Sequence, residues 1–246
     1  MELARWRYIV SALTQPISRP MIRIILLSFC LAYSLPCFSK SESKCFGGTA
    51  NGKLENGWQL PSSGKNFEAY SSLGVVAGRT YVHSKVYRVI LAAYKNLEQS
   101  NPTVTYIYGE TGFEHGGRFK PHKTHTNGLS VDFFVPVINS KGKSEQLNIG
   151  ITNKLGYNIE FNTKATYNDL TIDFESIAKH IDALNTAAIK EGIGISVVIF
   201  DNEFQKQLFL TPTGKTLKNR IAFSVKKPWV RHDEHYHIDF KVGCTH

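Results

Sequence analysis

Two stretches of the chain repeat apolar residues at the spacing of a buried helix face. In "HSKVYRVILAAYKNLEQSNP", Val86, Val89, Ile90, Ala93 and Leu97 share one side, with Ser84 as N-cap and Asn101-Pro102 as the stop. In "DFESIAKHIDALNTAAIKEG", Ile177, Ile181, Leu184 and Ala188 do the same between an Asp173 cap and a Gly192 terminator. Stretches 103–110, 129–137, 195–200 and 234–242 are rich in β-branched and aromatic residues and predict strands. "ISVVIF" at 195–200 predicts a buried strand, whereas the alternation in 234–242 predicts a half-buried one. Strands separated by helices and long loops, without a βαβ rhythm, predict an α+β fold: a mainly antiparallel central sheet flanked by helices.

The remaining polar stretches set the connections. Residues 40–66 are dense in Gly, Ser, Asn and Lys and predict a lead-in loop, while 139–168 reads as a polar hairpin excursion without an assigned role. The glycine-rich 109–128 joins two strands and is longer than a plain connection requires, so a single domain with long active-site loops is expected. "TPTGKT" at 211–216 looks like part of a phosphate loop but lacks the leading glycine, and predicts a turn.

Residues 1–39 stand apart. A basic start at Arg23, an apolar run from Ile24 to Phe38 broken by Pro36, and a small residue at Ser39 predict a secretory leader. The run is shorter than the roughly 20 residues that span a bilayer, so cleavage is favoured over a permanent anchor. Both Met1 and Met21 are compatible starts. The remainder, 40–246, is long enough for one domain with a single core.

Charge narrows the partners. The chain carries 29 Lys and Arg against 20 Asp and Glu, a formal net charge of +9. An exported basic protein meets anionic lipid or cell wall, and no nucleic-acid motif is present, so nucleic acid is not an expected partner. Two of the four cysteines lie in the leader, leaving Cys45 and Cys244 to pair in an oxidising compartment or to stay as buried thiols.

The chemistry concentrates in two places. "RHDEHYHIDF" puts His235 and His237 on one face of a strand, with His232 just before it. "HKTHTNGLSVD", more than a hundred residues upstream, supplies His122, His125 and Asp132. Two histidines and one carboxylate make a familiar catalytic zinc set, which His125, Asp132 and His237 would fill. The plain alternative is a basic strand that happens to carry histidines. "HDEH" is not the helical H-E-x-x-H motif, and no G-x-S-x-G occurs. Arg118, Lys123 and Arg231 flank these motifs and are candidates for binding substrate carboxylates. Trp229 would floor the cleft or pack.

Through "GGRFKPHKTHTNGLSVDFF", "HDEHYH", "GRTYVHSKV" and the two cysteines, the chain resembles the penicillin-insensitive murein endopeptidases, relatives of lysostaphin-type, D-Ala-D-Ala and hedgehog zinc domains. His125, Gly128 and Asp132 match H-x-x-G-x-x-x-D, and His232, His235 and His237 match H-x-x-H-x-H. The resemblance implies a periplasmic enzyme that cuts D-alanyl to diaminopimelate cross-links of peptidoglycan. It implies His125, Asp132 and His237 as ligands of one zinc ion, His235 as general base, and His122 and His232 as histidines near the site. Locally, His232 could hydrogen-bond the tetrahedral oxyanion. "LGYNIEFNTKATYND" lacks the Asp and His that hold a second metal in some members, which puts a second ion, with His122 as its ligand, in doubt. An L,D-endopeptidase, a carboxypeptidase, a non-hydrolytic zinc module and an accessory of a wall-spanning apparatus at the inner membrane are the alternatives.

Overall fold

The protein is described by a computed structural model over residues 40–226 and 231–245. Residues 1–39, where a leader is expected, Trp229 and His246 lie outside the described residues. Five strands form the central sheet: β4 (Phe67–Ala69), β6 (Tyr106–Tyr108), β7 (Ser130–Phe134), β12 (Gly194–Ile199) and β13 (His235–Lys241). Their order is β12-β13-β7-β6-β4, antiparallel throughout except for the parallel pair β4 and β6. The architecture is α+β, as the pattern predicts.

Of the helices, α1 (Ser72–Val76), α2 (Ser84–Ser100), α3 (Phe174–Lys190), α4 (Asn202–Leu208) and α5 (Pro212–Leu217), the two long ones are those that the periodicity locates. Every residue assigned to their apolar faces is buried. Asp173 caps α3 by accepting from the Ser176 N–H, and Gly192 beyond its end has φ +72°, a conformation only glycine adopts freely. The cap of α2 differs from expectation: His83 Nδ1 accepts from the Lys85 N–H, and Ser84 is the first helical residue. A serine one position inside the helix leaves its hydroxyl to tie the lead-in segment, through Ser43 N and Glu42.

Sheet order explains two further differences. The 195–200 stretch is an edge strand, where only Val198 and Phe200 are fully covered. The 234–242 stretch runs through the sheet centre between β12 and β7, and its residues 234–238 are buried: α3 covers Tyr236 on one face, while the His125 loop and Tyr157 cover His237 and His235 on the other. "TPTGKT" is a short helix, α5, capped by Thr211 with proline in its first turn, not a turn.

The lead-in loop is ordered and holds β1 (Lys44–Phe46), β2 (Lys53–Glu55) and β3 (Trp58–Gln59), the last pairing with β5 (Tyr81–Val82). Cys45 in β1 forms a disulfide with Cys244. The excursion at 139–168 is flanked by β8 (Val137–Ile138) and β11 (Leu170–Ile172), and holds β9 (Ser144–Glu145), which closes a hairpin with β8 at Gly142, a 3-10 turn at Ile151–Asn153, and β10 (Thr166–Tyr167), which pairs with β11.

The two faces of the sheet differ in chemistry. Phe133 on β7 and Tyr236 on β13 turn toward α3, where the Tyr236 hydroxyl hydrogen-bonds buried His180 and Phe133 packs against the same ring at 4.7 Å. Asp132, His235 and His237, one residue out of phase, turn to the other side. Among the described residues no helix is long and apolar enough to cross a membrane.

Candidate active site

Strands β7 and β13 pair in a register that sets His237 directly opposite Asp132, with His235 opposite Phe134. Directly opposed residues share a face, so an acid and a histidine 105 positions apart meet without a loop between them. The loop from β6 to β7 brings His122 and His125 to the same place. Its end is held by backbone bonds from Gly109 N to Asp132 O and from Asp132 N to Glu110 O. His125 itself has φ +68°. Gly128, three residues on, has φ +75°, and a Cβ there would lie 2.8 Å from the His83 backbone nitrogen and 2.7 Å from Leu54. The glycine of H-x-x-G is therefore required by backbone conformation and by close packing. Thr126 braces the loop against the amino-terminal hairpin: its N–H donates to Thr49 O and its hydroxyl accepts from the Gly52 N–H.

Four imidazoles surround Asp132, and each has one nitrogen occupied by an oxygen on its far side. His125 Nδ1 lies 3.1 Å from the Thr111 carbonyl, His122 Nε2 2.6 Å from Glu110, His235 Nδ1 2.9 Å from Glu234 and His237 Nε2 2.9 Å from Asp239. The other nitrogen of each ring faces Asp132. His237 Nδ1, His125 Nε2 and His235 Nε2 lie 2.9, 3.3 and 3.9 Å from Oδ1, and His122 Nδ1 lies 3.7 Å from Oδ2. Such outer acceptors select the tautomer and aim the inner lone pair.

Charge and burial follow this layout. Burial alone would raise the Asp132 carboxyl, but the surrounding imidazoles, His125 foremost, hold it well below the usual range. Burial likewise works to raise Glu110, and its hydrogen bonds to His122 and Arg79 outweigh it, holding the carboxyl at about 2. For His237, burial pushes down while Asp239 and Asp132 push up more strongly, to about 10. His235 is raised in the same way: burial opposes, and Glu234 and Asp132 prevail. His125 goes the other way, lowered by burial against Asp132.

A neutral His125 that donates from Nδ1 to a carbonyl has a lone pair on Nε2. That atom is buried with no hydrogen-bond partner and points at a carboxylate oxygen 3.3 Å away. Two electron-rich atoms facing each other out of water are a site for a cation. His122, His125 and Asp132 each offer a ligand atom, all within 4.8 Å of one another, and could hold a metal ion. His237 adjoins this cluster through its bond to Asp132 Oδ1.

A model of the penicillin-insensitive murein endopeptidases matches residues 45–246. The chain belongs to that family. No curated protein matches it. As a murein endopeptidase it is a peptidase whose substrate is peptidoglycan.

The murein endopeptidase site opens into a cleft of about 840 Å³ lined by His122, His232, His235 and His237, with Lys123, Lys154 and Lys226. The His232 ring lies 4.6 Å from that of His235 and 6.5 Å from that of His237. Lys123 is exposed on the wall. Arg118 is exposed and does not line the cleft. Arg231 donates to the Phe161 carbonyl at 2.7 Å and stands near Asp201 and Asp233, so its guanidinium ties the excursion to the β13 approach.

Five groups that serve the site escaped the sequence reading: Glu110, Glu234, Asp239, Arg79 and Tyr157. Tyr157 comes from the excursion that had no assigned role. Its hydroxyl accepts from the Glu110 N–H at 3.0 Å and donates to Asp132 Oδ2 at 3.0 Å. Asp239 lies two residues beyond His237 on the same strand face, and strand alternation alone would have found it.

Proposed function

We propose that the protein is a periplasmic zinc endopeptidase that hydrolyses the D-alanyl to meso-diaminopimelate cross-links of peptidoglycan. Residues 1–39 serve as its secretory leader and 40–246 as the catalytic domain. The observation that carries the reading is the arrangement of four imidazoles, each fixed from outside by an oxygen and turned inward to one buried carboxylate. His125, Asp132 and His237 are assigned as the zinc ligands. His122, held by Glu110, is a further donor beside them. Bound zinc would supply a Lewis acid that polarises the scissile carbonyl and makes water acidic near neutral pH.

The protein's own groups account for the proton transfers. His235 Nε2 faces the reaction centre, and Glu234 holds the opposite nitrogen, the orientation expected of a general base with its aligning partner. It receives the proton of the attacking water and passes it to the leaving amine. His232 donates to the oxyanion of the tetrahedral intermediate from beside His235. Asp239 keeps the His237 proton on Nε2 and leaves Nδ1 for the metal.

The test is digestion of purified cross-linked muropeptides with product masses measured. A newly freed diaminopimelate amine is expected with zinc supplied, and none after chelation or with His235→Ala. No product, or activity indifferent to the chelator, refutes the proposal. A product mass for L,D cleavage or carboxyl-terminal trimming corrects the bond and keeps the chemistry.

A further inference from the structure

The cleft presents accessible charge of one sign. Its two lining acids, Glu110 and Glu234, are buried and each is bound to a histidine. Its lysines are exposed. Lys154 and Lys226 form no ion pair among the described residues. They come to the cleft wall from different parts of the chain. Lys226 follows Ser224, whose N–H bonds Val198 O on edge strand β12. Lys154 belongs to the excursion whose Tyr157 reaches Asp132 on β7.

The Lys154 side is a built loop rather than a loose one. Asn153 Oδ1 accepts from both Gly150 N and Gly156 N at 2.9 Å, and its side-chain amide donates to Asn148 O. Lys154 and Leu155 are held in the left-handed region, with φ of 52° and 58°. Exposed Ile151 on this loop and exposed Leu73 on α1 give the cleft two aliphatic lips beside the ammonium groups. A peptide that fills such a cleft has short aliphatic side chains and free carboxylates.

Resting on the murein endopeptidase reading above, we infer that Lys154 and Lys226 form carboxylate-binding subsites on opposite sides of the scissile bond. The enzyme thus selects acidic, unamidated peptide stems over stems whose carboxylates are carboxamides. An ammonium facing a carboxylate in a partly shielded cleft discriminates against the neutral carboxamide by about 2- to 5-fold at each subsite. The effect weakens with salt, because these groups are reached by solvent.

The experiment compares two synthetic cross-linked dimers, identical except that one carries free carboxylates and its twin carboxamides. The zinc-loaded protein, Lys154→Gln, Lys226→Gln and the double variant are assayed at low and high ionic strength. The wild type is expected to favour the acidic dimer in kcat/KM by at least about fivefold at low salt. Each substitution should lower that ratio, and the double variant should bring it near one. Equal kcat/KM for the twins, with zinc-dependent cleavage of both, overturns the lysine subsites and leaves the reaction standing. Cleavage of neither overturns the reaction. The subsites are then judged by calorimetric binding of the twins, where equal affinities refute them and the same lysine-dependent ratio supports them.

Discussion

Replacing Tyr157 by Phe removes one oxygen atom from the site and leaves the ring packed between Phe134, Tyr70 and His235. That oxygen accepts from the Glu110 N–H, so its single proton goes to Asp132 Oδ2. The substitution deletes a hydrogen bond to a buried carboxylate, about 1.5–3 kcal/mol, and strands a backbone donor, about 1–3 kcal/mol. Freed at Oδ2, Asp132 can rotate away from the arrangement in which Oδ1 faces His125, His235 and His237. Loss of an outer-shell partner weakens metal binding by about 10- to 100-fold, which is about 1.4–2.7 kcal/mol and the size of the lost hydrogen bond. Zinc affinity measured by competition with a chromophoric chelator should fall by that factor, and urea unfolding of the metal-free protein should show a loss of about 2.5–6 kcal/mol. Unchanged zinc affinity beside lowered stability would make Tyr157 a packing residue only. No change in either would refute the hydrogen-bond assignment itself.

Three more predictions concern the frame that holds the site. His180 is buried and pushed down to about 3 by burial, so between pH 6.5 and 3 the unfolded chain binds a proton that the native chain refuses. Its contribution to stability is full above pH 6.5 and is lost as pH falls; wild type should therefore lose up to about 1.4 kcal/mol per pH unit more than His180→Gln in urea titrations from pH 5.5 to 3.5. Reducing Cys45–Cys244 opens a loop whose ends are 199 residues apart, and equilibrium unfolding with and without reductant should differ by up to about 5 kcal/mol. Gly128→Ala forces a side chain against the His83 backbone at positive φ, and calorimetry should show about 1–3 kcal/mol of destabilisation with weakened zinc retention.

The parts of the fold legible in the sequence are those where one-sided burial leaves a period. Helices α2 and α3 bury one stripe each, and the spacing of Val86 to Leu97 and of Ile177 to Ala188 records it. What covers the second face of a strand leaves no such record: 234–242 alternates, yet α3 lies over one face and the His125 loop and Tyr157 over the other. Caps by side chains outside the usual set, such as His83, are invisible for the same reason. At the site, the histidines announced themselves by clustering in "HYH" and "HKTH". Their orienting partners did not, because Glu110, Glu234 and Asp239 are single acids whose role depends on which ring they face. Tyr157 sits in a polar stretch without period, and only tertiary contact with Asp132 marks it.

The order of strands also governs when the protein becomes able to act. β13 enters the sheet between β12 and β7, which are made earlier, and carries His235 and His237. A chain emerging residue by residue has Asp132 in place for about a hundred residues before its opposite partner exists. Cys45 waits longer still, until residue 244, before the clasp beside the Thr126 brace can close. Vectorial synthesis therefore acts as a timer: under the proposed assignment, a nascent or truncated chain lacks both the base His235 and the ligand His237 until residue 237 has emerged.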